Sequence, residues 1–269
     1  MTSLPEIVEK YKNYLLTKYP ERHKTFSDLE RSKLESARAE AVSFFVLRSQ
    51  GFDVTIYEDP STGGPDFSCK APYDTFIAEV TCLEVDAVTK RSGVEEGASS
   101  GWSEPLTDAL RTKASTKASQ LSGVSMPRLL VLTTEHESGE VLMGINAARS
   151  LLTSNPKIQI QPWPSEPNTW SVTELDNSVF FRFSKNGSIE ACRQSISAIL
   201  LIHILPNECR AVGVLHPQPI FNFPRQLLPT VPFVWVRQWP PKEGKIETAW
   251  DRVRPPTARF YYQALEPQN

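Results

Sequence analysis

The sequence predicts an α/β fold in which helices flank a central sheet. Between residues 27 and 134, a segment with helical spacing of apolar residues precedes three strand-like segments, a second helix and a fourth strand. Such alternation is typical of a sheet that is covered by helices. The chain has 269 residues, of which 40% are hydrophobic, so it is long enough and apolar enough to bury a core.

Within this class we expect a helical extension at residues 1–26 followed by one α/β domain at 27–269. The core of that domain should occupy 27–154, and a β-containing C-terminal elaboration should occupy 155–269. The later segments support this division. A strand at 180–183, a buried strand at 197–204 with a neighbour at 210–216, and a strand at 232–237 are expected, followed by a short tail helix near Tyr261. Residues 155–177 contain Pro and Trp and predict irregular structure.

Composition limits the classes of function. The net charge is −2, so binding of nucleic acid would need a local basic stripe rather than a global field. The four cysteines form no Cys-x-x-Cys pair and indicate buried thiols in a reducing compartment: Cys69, Cys82, Cys192 and Cys209. There is no signal-peptide pattern and no apolar run of membrane-spanning length, so a cytoplasmic protein is the expectation.

The N-terminal 50 residues predict two helices. Apolar residues at helical spacing indicate a first helix over 3–18, which Pro20 should end. Ser27 and Glu30 form a capping-box pattern for a second helix that extends to about Gln50, where Gly51 can end it.

Glu40 lies within the apolar stripe of the second helix. A carboxylate on a core-facing stripe is unfavourable unless it has a partner, and a metal is one such partner. The alternative is a Glu at the edge of the stripe that reaches solvent or pairs with an arginine. Glu35, on the opposite helix face, is a second candidate for an acidic site residue.

Two carboxylates are expected to converge where two strands meet. After a strand at 52–57, the turn Gly63-Gly64-Pro65-Asp66 leads into a short strand, and 75–83 forms the next strand. If these strands pair as a hairpin, Asp66 and Glu79 meet at one end and form a hard-oxygen site suited to Mg²⁺. Apolar residues on both faces predict that the Glu79 strand is central. The alternative for Asp66 is an ordinary turn in which its side chain caps the backbone.

A basic helix follows this hairpin. Residues 86–103 predict a polar loop that covers the site or contacts a substrate, and the alternative is a disordered segment. A helix begins near Ser103. Lys117 shares the apolar face of this helix and can carry its ammonium to the rim of the sheet, whereas Lys113 lies nearer the edge of that face. With Arg111 and Arg128 these lysines form a basic cluster suited to a phosphate backbone. The alternative is a solvated basic face. A buried strand at 127–134 and a helix at 140–153 complete this region.

These residues resemble the PD-(D/E)XK nuclease superfamily, the restriction-endonuclease-like fold, over roughly residues 40–134. Pro65-Asp66 is similar to the Pro-Asp of the motif, and Glu79-Val80-Thr81 is similar to its Glu-x-Lys, with Thr81 in place of the lysine. The superfamily can supply that lysine from a neighbouring element, which implies Lys117 or Lys113 here. The resemblance implies a mixed central sheet and an endonuclease that hydrolyses phosphodiester bonds in nucleic acid, most often DNA.

The resemblance also implies roles for individual residues. Asp66 and Glu79 would hold Mg²⁺ or Mn²⁺, Glu40 would complete the metal shell or orient water, and Lys117 would stabilise developing phosphate charge. The implied partner is nucleic acid, with no membrane, and a homodimer stays open. The alternative is a domain of the same fold that has lost catalysis and acts as a nucleic-acid or protein binding module.

Overall fold

Helices and strands alternate along the chain in the computed structural model. It describes residues 2–59, 63–92, 103–121, 123–153, 157–159, 170–172, 178–186, 188–241, 246–250 and 257–264. The helices of this described part are α1 Leu4–Lys18, α2 Pro20–Ser32, α3 Leu34–Ser49, α4 Val85–Ser92, α5 Ser103–Gln120, α6 Gly139–Met143 and α7 Ile145–Thr153. None of these helices combines the length and the apolar character needed to cross a membrane.

Nine strands of the described residues form one mixed sheet, in the order β1-β2-β3-β4-β9-β10-β11-β12, with β13 also paired to β10. Strands β1 to β3 are antiparallel, whereas β3, β4 and β9 are parallel neighbours. The strands are β1 Asp53–Ile56, β2 Phe67–Lys70, β3 Thr75–Cys82, β4 Arg128–Thr134, β5 Lys157–Gln159, β6 Trp170–Val172, β7 Phe181–Phe183, β8 Ile189–Ala191, β9 Ala198–Ile204, β10 Glu208–Leu215, β11 Phe233–Val236, β12 Thr248–Trp250 and β13 Ala258–Tyr261.

The sheet separates two apolar layers. Phe76 and Ala78 of β3 pack in the layer that contains α1, α2 and α3, whereas Ile77 packs in the layer that contains α5, α6 and α7. The residues of β4 divide between the layers in the same alternating way, because successive strand side chains point to opposite faces. The expectation that the Glu79 strand is central and covered on both sides is therefore confirmed.

The N-terminal helices differ from the prediction. Pro20 does follow the end of α1, but it is the first residue of α2, where its fixed φ suits a helix start. Ser27 lies inside α2 and its hydroxyl donates to the His23 carbonyl one turn earlier, so it caps no helix. The predicted second helix is instead broken at Lys33, whose φ of −147° separates α2 from α3.

The predicted boundary at residue 26 falls inside α2. Phe26 is buried and packs edge-on against Tyr11 of α1, with ring centroids 5.0 Å apart, and Tyr11 packs against Phe44 of α3 at 4.8 Å. The three helices thus share one apolar layer with the sheet.

Other segments also differ from expectation. Residues 85–92 form α4 within the predicted polar loop, and 93–102, including Trp102, lie outside the described residues. Gly144 divides the predicted helix at 140–153 into α6 and α7. The segment at 155–177 contains the paired strands β5 and β6, and near Tyr261 the chain forms β13 before a 3₁₀ turn. Strands β5 and β6 have three residues each and lie in a Pro-containing segment, whose composition favours irregular structure.

Candidate active site

The β2–β3 hairpin places Asp66 opposite Glu79. Phe67, the first residue of β2, pairs with Ala78 in the antiparallel register, so the residue before it faces the residue after Ala78. The Val80 amide donates to Asp66 Oδ2 at 2.7 Å, which holds the carboxylate at the end of the hairpin. Gly63 and Gly64 have φ values of +73° and +134°, a backbone conformation that explains the two glycines before Asp66.

Lys117 reaches Glu79 from α5. Its Nζ lies 2.6 Å from Glu79 Oε1, and only 5% of the Glu79 side chain is exposed. Leu110 and Ala114 bury the face of α5 from which Lys117 extends. Glu79 Oε2 is also buried and has no hydrogen-bond partner among the described residues. One oxygen of this carboxylate is therefore paired with a cation, and the other is buried without a partner among the described residues.

Glu40 reaches the same region from α3. Its side chain is 6% exposed, the Tyr11 hydroxyl donates to its Oε1 at 2.8 Å, and Arg22 Nη2 lies 3.6 Å from that oxygen. The predicted need for a partner is thus met within the chain, by a tyrosine and by the arginine that the alternative interpretation anticipated.

Sequence reasoning missed Arg22 and Glu58. Arg22 lies in the first turn of α2, and its Nη2 is 3.8 Å from Asp66 Oδ1 while its Nη1 pairs with Glu58 Oε2. Glu58 follows β1 at the entry to the turn before Asp66, so its closeness in sequence to the motif is a usable signal. Arg22 carries no such signal, because only the packing of α2 against α3 brings it to the site.

The electrostatics of these carboxylates reflect crowding and burial. Burial, followed by the charges of Glu79 and Glu40, raises the pKa of Asp66 well above its ordinary value. Burial also raises the pKa of Glu40 against the opposing effect of Arg22, and that of Glu79 against the opposing effect of Lys117. The two basic side chains therefore do not fully offset the unfavourable environment of the three acids.

A cavity of about 400 Å³ opens over this cluster. Glu40, Asp66, Thr81 and Lys117 are among the residues that line it. Polar, apolar and charged residues of the surrounding elements complete the wall, namely Arg22, Thr25, Phe26, Leu29, Lys33, Ser36, Ala39, Glu58, Val80, Cys82, Glu84 and Lys113. The cavity thus combines carboxylates with lysines from two sides.

The predicted basic cluster is smaller in the structure. Arg111 is buried and donates to the Ser150 carbonyl at 3.2 Å, and Arg128 is buried and donates to the carbonyls of Val124 and Ser195. These contacts use both guanidinium groups to hold the chain together, so neither arginine belongs to a nucleic-acid surface. Of the predicted cluster, Lys113 and Lys117 face the cavity.

Glu35 lies apart from the acidic site. It accepts a hydrogen bond from the Val85 amide at 2.8 Å, at the start of α4, and it lines a different cavity. Its position on the opposite face of the helix follows the sequence expectation.

The carboxylate oxygens of Glu40, Asp66 and Glu79 are chemically suited to a hard divalent cation, but Arg22 lies within ion-pair distance of two of them. Carboxylate oxygens are the ligands that Mg²⁺ and Mn²⁺ prefer, at about 2.0–2.2 Å. Here one nitrogen of Arg22 lies between Glu40 and Asp66, and no three Asp, Glu, His or Cys side chains of the described residues converge as a metal centre. No protein-family model, curated protein or solved structure matches this chain.

Proposed function

We propose that this protein is a metal-dependent nuclease of the restriction-endonuclease-like fold. The observation that carries the proposal is a chain of contacts that links Glu40, Asp66, Glu79 and Lys117. Arg22 Nη2 lies 3.6 Å from Glu40 and 3.8 Å from Asp66, the hairpin register sets Asp66 opposite Glu79, and Lys117 pairs with Glu79. Two buried acids, a partly exposed third acid and a lysine beside a cavity suit phosphoryl chemistry, in which positioning and charge stabilisation supply most of the rate.

Asp66 and Glu79 would hold the metal, with Glu40 as a third oxygen donor. A bound Mg²⁺ or Mn²⁺ would supply an activated water and charge stabilisation at the phosphate. The chain's own residues set up this chemistry. The Val80 amide orients Asp66, the Tyr11 hydroxyl orients Glu40, and the Lys117 ammonium holds Glu79 while adding positive charge beside the cavity.

Nucleic acid is the substrate class that the cavity suits best. Lys113 and Lys117 line it from α5, and Lys33 lines it from the α2–α3 junction. Lysines on two sides of an acidic site can neutralise the phosphates that flank a scissile bond. DNA is the substrate that the family resemblance favours.

A second candidate is a binding module of the same fold that has lost catalysis. Thr81 stands where the motif has its lysine, and Arg22 lies between two of the carboxylates that would hold the metal. This candidate requires the cavity to bind nucleic acid or protein without cleaving it.

The test is cleavage of plasmid DNA in Mg²⁺ or Mn²⁺, with and without chelator, by the parental protein and by Glu79→Gln. We expect chelator-sensitive cleavage that Glu79→Gln abolishes. The matched control is Glu190→Gln, since Glu190 is a half-exposed carboxylate on β8. Salt-dependent binding without cleavage in either metal would favour the binding module.

A further inference from the structure

Arg22 holds three carboxylates at once. Its Nη1 pairs with Glu58, and its Nη2 lies 3.6 Å from Glu40 Oε1 and 3.8 Å from Asp66 Oδ1. Only 15% of the Arg22 side chain is exposed. One positive group therefore contacts both Glu40 and Asp66, and it occupies space that a cation bound to both carboxylates would need.

The contacts of Nη2 are ion pairs rather than hydrogen bonds, because both distances exceed normal hydrogen-bond length. Arg22 Nε is also buried without a hydrogen-bond partner among the described residues. The guanidinium is thus held by charge and is not fixed by a complete hydrogen-bond network. A side chain held in this way can be exchanged for another cation.

The helix itself does not favour a cation at this position. The N-terminal turn of a helix carries partial positive charge, which stabilises acidic side chains and disfavours basic ones. Arg22 lies in that first turn of α2. Its stabilisation must therefore come from the carboxylates that surround it.

Counting the charges around Arg22 shows that the site accepts more positive charge. Glu40, Glu58, Asp66 and Glu79 are four carboxylates, and Arg22 and Lys117 are the two basic groups that pair with them. With all groups ionised, these four acids and two bases leave a formal charge of −2. Lys33, Lys113 and Glu84 also line the cavity and change the sum to −1. A net negative charge therefore persists with Arg22 in place, and a further cation would reduce it.

We propose that Arg22 competes with the divalent metal for Glu40 and Asp66. The metal can bind these two carboxylates only after the Arg22 guanidinium has moved away from them. This inference rests on the proposed function. A divalent cation held by these two carboxylates would lie beside the like-charged Arg22 guanidinium, and the two positive groups would repel each other. The bond to Glu58 keeps the displaced arginine at the wall of the cavity.

The experiment is calorimetric titration of Mn²⁺ and of Mg²⁺ into the chelator-treated protein and its Arg22→Gln variant. Arg22→Gln should bind the metal more tightly by roughly 5- to 150-fold, the usual range of coupling between two ligands. Without metal at pH 8, Arg22→Gln should melt at a lower temperature than the parental protein, because three carboxylates lose their counter-charge. Mn²⁺ should then raise the melting temperature of Arg22→Gln more than that of the parental protein. Arg31→Gln is the matched control, since Arg31 lies on the same helix and pairs with Asp28 on the exposed surface.

Equal or weaker metal affinity in Arg22→Gln, with normal binding by the parental protein, would overturn the competition and leave the nuclease proposal standing. Failure of all three proteins to bind either metal would overturn both proposals. If Arg22→Gln does not fold, the NMR signal of the Arg22 Nε–H group in the parental protein tests the displacement. This signal is assigned as the one that the Arg22→Lys variant lacks. A change in the position of that signal on Mg²⁺ binding supports displacement, and an unchanged signal in Mg²⁺-saturated protein contradicts it.

Discussion

Asp66 is an acid of the candidate site whose pKa lies well above its ordinary value. Its pKa is raised by burial first and then by Glu79 and Glu40, and the hydrogen bond from the Val80 amide opposes that rise. Folding of the metal-free protein therefore disfavours the ionised form of Asp66 relative to the unfolded chain. The contribution of the Asp66 carboxyl to the free energy of unfolding is fully present below its ordinary pKa of 3.8. That contribution is lost as the pH rises through the raised pKa of the folded state.

Asp66→Asn should therefore stabilise the metal-free protein at pH 8 and change it little at pH 4. The amide stays neutral at both pH values, and its oxygen can still accept the Val80 N–H bond. Because the variant removes a charge that the folded state disfavours, its melting temperature at pH 8 should be higher than that of the parental protein. Thermal unfolding in chelator at both pH values measures the effect, with Asp28→Asn on the surface of α2 as the control. A destabilisation at pH 8 would contradict the crowding of the acids.

Lys117 provides a second test at the residue scale. Its Nζ is 2.6 Å from Glu79 Oε1 in a nearly buried setting, where arginine is too large and rigid to replace a compact ammonium. In single-turnover cleavage at saturating substrate, Lys117→Ala should lower the rate by about 100–1,000-fold. Lys117→Arg should be nearly as damaging.

Lys113→Ala is the matched control for Lys117, because both lysines line the cavity from one helix. It should keep the rate at saturating substrate but weaken binding and reduce its dependence on salt. Parental cleavage by Lys117→Ala would remove this lysine from the mechanism and strengthen the case for the binding module.

At the scale of elements, α2 both completes the core and supplies Arg22. Phe26 is fully buried at its centre, between Tyr11 and the cavity wall. Helix α2 thus positions a charged group at the site through apolar packing on its inner face, and it cannot be a detachable extension.

Phe26→Ala should lower the free energy of unfolding by about 3–5 kcal/mol, the usual result of removing a fully buried aromatic ring. Leu16→Ala, on the exposed face of α1, should change it by less than about 0.5 kcal/mol. Urea denaturation followed by far-UV circular dichroism measures both. An unchanged midpoint for Phe26→Ala would mean that the N-terminal helices are independent of the domain.

At the scale of the whole molecule, the two apolar layers lie on opposite faces of the sheet, with β3 between them. The α1–α3 layer brings Glu40 and Arg22, and the α5–α7 layer brings Lys117. The site therefore lies where the β2–β3 hairpin ends between the layers, and both layers contribute charged groups to it.

Local sequence patterns determined the main elements and the acidic pair. Alternation and turn chemistry predicted β1 to β4, the pairing that sets Asp66 opposite Glu79, and the face of α5 that carries Lys117. These features depend on periods of 2 and 3.6 residues and on glycines at a turn, which a single segment contains in full. The burial of Glu40 followed from the same periodicity.

Only the tertiary structure decided which groups partner these acids. Tyr11 and Glu40 are 29 residues apart, and the break at Lys33 between α2 and α3 sets the position of Arg22 beside Glu40. The burial of Arg111 and Arg128 likewise depended on carbonyl groups from other segments. A charged side chain takes the partner that packing brings within reach. Periodicity shows which face a residue occupies but does not show what lies opposite that face.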